Sequence, residues 1–207
     1  PDFSHEEALM ARGHGIVAGI DEAGRGPLAG PVVVAAVVLD PTALPAGLND
    51  SKKLSPARRE SLFAAVMTSA MAVSVVAVPP ALILARNIRG ATLWGMAEAA
   101  HNPPRAPGAA LIDGRDAPPG LPCPGHALIG GDGLSLSVAA ASIVAKVMRD
   151  RMCAIMDCDT PQFGFAGHKG YGTALHIEAL TLHGASRHHR AGFAPVAAVL
   201  RAATEGS

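Results

Sequence analysis

The sequence predicts an α/β domain: a mixed five-stranded sheet flanked by helices, followed by a small helical extension. Three observations carry that expectation. Short β-branched runs alternate with longer segments of helical period. The first two runs are joined by a tight Gly/Pro turn, which predicts an antiparallel pair. After the longest helical segment, the chain reads as helices and glycine-dense loops with no further strand.

Each element follows in order. Residues 1–14 are polar and bear His and Glu, which suits a short helix or a loose end. Gly15 to Ile20 is a short apolar run ending in Asp21-Glu22, and Val32 to Leu39 is a continuous run typical of a buried strand. Between them, Gly24 to Pro31 is the turn. Pro41 to Lys53 is a loop. Ser55-Pro56 supplies an N-cap and Pro at the first helical position, so a helix is expected to about Ser69. Ala72 to Val78 is the third strand, Leu82 to Ala100 a helix, and Ala109 to Ile112 the fourth strand, ending in Asp113. A Pro-rich loop leads to a short fifth strand, His126 to Ile129, and then to Gly130-Gly131-Asp132. Leu134 to Met156 is a long helix whose small residues permit close packing on a sheet. Gly164 to Gly172 reads as a loop, Thr173 to His183 as a helix, and Ala191 to Ala203 as a last short one. The expected domain covers residues 1–157, with residues 158–207 as the helical extension packed on it.

Composition limits the function. With 207 residues and 49% hydrophobic content the chain can build one core without disulfide or metal, and disorder is excluded. Lys+Arg and Asp+Glu are both 17, so the net charge is zero and no bulk basicity points to a nucleic acid. Local basic patches remain open. Cys153 and Cys158 have a poor spacing for zinc and Cys123 sits alone among prolines, so reduced thiols in a cytoplasmic protein are expected. The longest apolar stretch is broken by Pro79-Pro80, which argues against a membrane span, and no leader pattern precedes Ile16.

The acids are informative because they are few. Asp21 and Glu22 follow one strand, Asp113 ends another and Asp132 follows a third, so three strand ends deliver four carboxylates. Ligands gather beyond the carboxyl ends of strands in α/β sheets. Crowded carboxylates repel and raise one another's pKa, a cost that a divalent cation removes. Oxygen donors without His or Cys favour Mg²⁺ or Mn²⁺ over zinc, and four carboxylates can hold two such ions for phosphodiester hydrolysis. Isolated acids of this kind usually cap turns, so the grouping carries the argument. Gly24-Arg25-Gly26-Pro27-Leu28-Ala29-Gly30 fails the dinucleotide-binding pattern, because its third glycine is one place late and a strand follows. It suits a backbone that approaches a ligand closely, or a plain turn that joins two strands. Lys52 and Lys53 with Arg58 and Arg59 form a basic cluster suited to phosphate, or a solvated patch. Lys146, Arg149 and Arg151 share one helix with Asp150, where i,i+4 pairing explains much. From Thr160 onward the chain is locally basic. The lone tyrosine, Tyr171, sits in a Gly-Tyr-Gly loop where it can stack on a base or sugar or simply anchor the loop.

Seven segments, in order, resemble the ribonuclease HII family. Ile20 to Pro31 resembles its signature, and Asp50-Ser51-Lys52-Lys53-Leu54 its D-S-K-K-L segment. Asn87-Ile88 with Ala91-Thr92 resembles its N-I-x-x-A-T helix, and Asp113-Gly114 its central acidic strand end. Gly131-Asp132 with Ser137 to Asp150 resembles the next motif; Gly170-Tyr171-Gly172-Thr173 and Phe193-Ala194-Pro195-Val196 resemble the C-terminal ones. The resemblance covers about residues 15–198.

It implies a ribonuclease H-like fold and an endonuclease that cleaves the RNA strand of RNA–DNA hybrids. It also implies nicking 5′ of single ribonucleotides in duplex DNA, which serves ribonucleotide excision repair and RNA primer removal, leaving 3′-OH and 5′-phosphate ends. Asp21, Glu22, Asp113 and Asp132 would be the catalytic, metal-binding set for two Mn²⁺ or Mg²⁺ ions. Gly24, Arg25 and Gly26 would read the 2′-OH and Tyr171 the adjoining deoxy sugar. Lys52, Lys53, Asn87, Ser142 and Lys146 complete the expected substrate contacts. A monomer without a membrane partner is expected, and no clamp-docking peptide is identifiable in Arg201 to Ser207. The chain departs from the family at Gly130-Gly131, Leu134, Ala174 and Gly192, where Lys, Arg or Ser is common. Weaker phosphate grip with intact chemistry is the expected result. A non-catalytic binding module and a Holliday-junction resolvase are the rival readings. The four carboxylates argue against the first, and the two glycine motifs against the second.

Overall fold

The computed structural model describes residues 1–205; residues 206 and 207, the end of both the expected extension and the stretch searched for a docking peptide, lie outside the described residues. Five strands form one mixed sheet: β1 (Val17–Ala23), β2 (Val32–Val38), β3 (Ala72–Val78), β4 (Ala109–Asp113) and β5 (Gly125–Leu128). Their order is β3-β2-β1-β4-β5. β1 pairs antiparallel with β2, as the short turn requires, and parallel with β4, which in turn pairs parallel with β5. The carboxyl ends of β1, β4 and β5 therefore share one edge of the sheet.

Among the described residues seven α-helices flank it: α1 (Ser4–Leu9), α2 (Pro56–Ser69), α3 (Pro80–His101), α4 (Leu136–Asp159), α5 (Phe165–His168), α6 (Ala174–His183) and α7 (Ala194–Glu205). The Ser55 side chain accepts the Arg58 N–H and caps α2, while Pro56 begins it. β2 carries only Val and Ala and is buried throughout, as a central strand covered on both faces must be. One face packs against α2 and α4, where the run Ala139 to Ala141 lies against Ala35 and Val37. The other packs Val32, Val34, Val78 and Ile112 against α3. α4 approaches so closely that a Cβ on Gly19 of β1 would overlap the Ser137 backbone.

Three differences from the sequence reading have physical causes. α3 begins at Pro80 and is kinked at Asn87, which has φ +57° and ψ 169°. The loop expected from Gly164 to Gly172 contains a helical turn, α5, because Phe165 is fully buried and its backbone must pair locally. α4 runs on to Asp159, through the boundary placed at residue 157.

Among the described residues no helix is long and apolar enough to cross a membrane. All three cysteines are free.

Candidate active site

Asp21 and Glu22 lie near the carboxyl end of β1, Asp113 is the last residue of β4, and Asp132 sits in a 3-10 turn (Gly131–Gly133) just after β5. Side chains alternate along a strand, so the adjacent acids of β1 point to opposite faces. Asp21 is buried towards α4 and Glu22 is half-buried towards α3. The Asp113 carboxylate accepts the Gly131 N–H at 2.8 Å, which ties the end of β4 to the turn that carries Asp132.

Burial lifts Asp21 well above the usual carboxylate range, and the charges of Glu22 and Asp113 add to it. Burial also raises Glu22 and Asp132, with Asp50 and Asp113 adding to the second. Lys52 faces this group. Burial works against its charge, but Asp21, Asp50, Asp132 and Asp113 outweigh that and raise its pKa. The carboxylates repel one another without closing into a preassembled shell. Among the described residues no three His, Cys, Asp or Glu side chains form a ready metal group. The donor chemistry nevertheless fits a hard divalent cation: four carboxylates, three of them held at raised pKa, with no imidazole or thiolate among them.

A cavity of 250 Å³ opens beside these acids. It brings together Gly24, Arg25, Gly26, Lys52, Ser142, Lys146 and Tyr171, all expected from the sequence, with Glu22 at its edge. The Tyr171 ring is half-exposed, with a ring carbon 3.5 Å from where a Gly26 Cβ would lie. Ser142 donates to the Ser51 hydroxyl at 2.8 Å and accepts the Ser51 N–H. Lys146 pairs with Asp150 at 2.6 Å. Two expected residues lie elsewhere. Lys53 points to solvent beside Asp50, and Asn87 lines a second cavity with Arg190 and Phe193, its Oδ1 accepting the Gly90 N–H.

The locally basic C-terminal part is corrected by the structure. Arg190 is buried, Arg187 and His188 are paired with Asp159, and His189 is buried with its pKa pushed down to about 4 by desolvation and by His176. The basic cluster near Lys52 is partly structural too. Arg58 donates to the Ala46 carbonyl, and Arg59 to the Ser51 and Leu54 carbonyls. Arg149 does not join the i,i+4 pairing; it is buried under the glycine turn and donates to the carbonyls of Pro31, Ala29 and Lys169. A Cβ on Gly24, whose φ is +94°, would overlap this guanidinium, so glycine is required there. The sequence reading missed these roles of Arg149 and Arg190, and also Asp50, which faces Asp132. Only the glycine spacing hinted that something large lay beneath the turn.

A mixed sheet that presents carboxylates at three strand ends, beside a glycine turn and a cavity, defines a nuclease of the ribonuclease H-like class. The solved ribonuclease H2 from Pyrococcus horikoshii OT3 superposes with a TM-score of 0.78 at 27% identity, covering 90% of this chain and 98% of that one. A chain from the PCNA:RNase HII complex of Archaeoglobus fulgidus gives 0.73 at 30% identity, covering 86% and 95%. The family model described as Ribonuclease HII matches residues 18–196. The ribonuclease HII of Xanthobacter autotrophicus is 54% identical over 94% of this chain and 78% of its own length, and that of Brucella canis is 53% identical over 95% and 90%. The chain belongs to the ribonuclease HII family, and it is a type 2 ribonuclease H that cleaves the RNA strand of RNA–DNA hybrids.

Proposed function

We propose that this chain also nicks duplex DNA 5′ of a single embedded ribonucleotide, and that Asp21, Glu22, Asp113 and Asp132 hold two divalent ions, Mn²⁺ or Mg²⁺, for the purpose. The observation that carries this reading is the cavity that joins Glu22 to the Gly24–Gly26 turn and Tyr171. One acid and the recognition elements then line the same cavity. Ions bound there would neutralise charge and would activate a water for attack.

The chain's own residues do the rest. The turn Gly24-Arg25-Gly26 reads the 2′-OH, the group that separates RNA from DNA. The Tyr171 ring packs on the neighbouring deoxy sugar. Lys52 and Lys146 position phosphates without reading sequence. The water oxygen bonds to phosphorus, the P–O3′ bond breaks, and a proton passes to the departing 3′ oxygen. The products are a 3′-OH and a 5′-phosphate. From residue 158 to the last described residue, 205, the chain serves as an extension that brings Tyr171 to the site, and the enzyme works as a monomer in the cytoplasm.

The test is a duplex with one ribonucleotide, incubated with Mn²⁺, Mg²⁺ or chelator, with the ends of the products identified. A metal-dependent nick 5′ of the ribonucleotide is expected. No nick, or a 3′-phosphate product, overturns the reading.

A further inference from the structure

Arg190 lies 160 or more residues from the turn that it holds. It is 1% exposed. Its Nη2 donates to the Gly24 carbonyl at 2.6 Å, its Nη1 to the Arg25 carbonyl at 2.9 Å and its Nε to the Gly30 carbonyl at 2.9 Å. Its backbone N–H donates to the Leu28 carbonyl at 2.8 Å. Arg149, equally buried, takes the Ala29 and Pro31 carbonyls. Among the described residues neither guanidinium has an ion-pair partner. Two unpaired cations buried side by side are costly. A brace needed only for stability could be built from neutral donors at less expense.

Peptide planarity shows what the arrangement achieves. In a trans peptide the C=O and the following N–H point in opposite directions. With the Gly24 and Arg25 carbonyls drawn inward to Arg190, the N–H groups of Arg25 and Gly26 are aimed outward. Arg25 and Gly26 both line the cavity, and neither N–H takes part in a backbone hydrogen bond of the fold among the described residues. Consecutive N–H groups presented in this way form a concave donor site.

We propose that Arg190, supported by Arg149, is a positioning residue for catalysis: its fork sets the two peptide units of Gly24-Arg25-Gly26 so that their N–H groups meet the sugar–phosphate of the substrate. This rests on the reading of that turn as the ribose-recognising element. Arg190 itself does not touch substrate. Lysine is a poor substitute, because one ammonium cannot span three carbonyls in fixed directions.

The experiment compares wild type, Arg190→Met and Arg190→Lys on a single-ribonucleotide duplex and on a full RNA–DNA hybrid. Every assay runs well below the variant's own melting temperature. For Arg190→Met, kcat should fall by about 100-fold, as expected of a misplaced recognition group, while KM changes little. Arg190→Lys should fall between the two. A purely structural role would lower the melting temperature and leave kcat intact in the folded protein, and that result overturns the proposal. If Arg190→Met does not fold, Arg190→Lys decides: wild-type kcat sinks the idea. If wild type cleaves hybrids but spares the single ribonucleotide, the ribonucleotide reading fails by itself, and the kcat comparison is still made on the hybrid.

Discussion

At the end of β1, Asp21 is a buried carboxylate whose neighbours Glu22 and Asp113 carry the same charge. A few residues on, the turn from Gly24 to Pro31 rests on Arg149 and Arg190, buried cations whose hydrogen bonds land on neutral carbonyls. Both regions bury charge, but with opposite consequences. The carboxylates keep unmet demand for positive charge, which suits a centre that binds something. The guanidiniums are satisfied and unavailable, so they shape the backbone instead. Residue types in a sequence therefore do not reveal whether a charge is spent on the fold or kept for the ligand.

The sharpest break of this contrast is removal of the unmet demand. Asp113→Asn should slow hybrid cleavage by about 1,000-fold, the order expected when charge stabilisation at a reacting phosphate is lost, with the fold intact by circular dichroism. The opposite change strands the satisfied side. Arg190→Met leaves three carbonyls without donors and should cost about 3 kcal/mol or more in denaturant unfolding.

A smaller effect is expected from Gly24→Ala. The new Cβ meets the Arg149 side chain at a positive φ, and a loss of about 1–3 kcal/mol should appear in the melting transition.

The smallest effect is a pH dependence with two opposed limbs. Without metal, the raised pKa of Asp21 keeps it protonated above the ordinary 3.8, so its repulsion is absent at low pH and stability is lost as pH rises through the folded value. His189 works the other way. Ser186 N–H donates to its Nδ1, so its Nε2–H donates to His176 Nε2 at 3.0 Å, and His176 Nδ1–H donates to the Tyr171 carbonyl. Both rings must be neutral for that chain of bonds. Its stabilisation is complete above pH 6.5 and lost as pH falls towards about 4. In chelator at pH 7, Asp21→Asn should melt higher than wild type. The gap should close towards pH 4, while both proteins keep the acid-side loss. A melting series across pH reads both limbs.

Much of the architecture was legible because it is local. Ala72–Val78 has the expected strand bounds, Ser55-Pro56 begins a helix, and the short turn after Asp21-Glu22 makes β1 and β2 antiparallel. The carboxylates were legible because strand ends converge in any such sheet. What escaped depends on partners far apart in sequence. Nothing near Arg190 shows that it reaches Gly24, and nothing near Glu6 shows that its buried carboxylate accepts the Ser135 and Ser137 hydroxyls at the start of α4. The kink at Asn87 escaped because helical periodicity runs through it.

The most direct test of the central claim, that the strand-end carboxylates form the hydrolytic centre, is the rate of RNA–DNA hybrid cleavage by wild type and Asp21→Asn at saturating Mn²⁺. Wild type should cleave rapidly, and the variant should bind the hybrid without cleaving it. Equal cleavage by both proteins would contradict that claim.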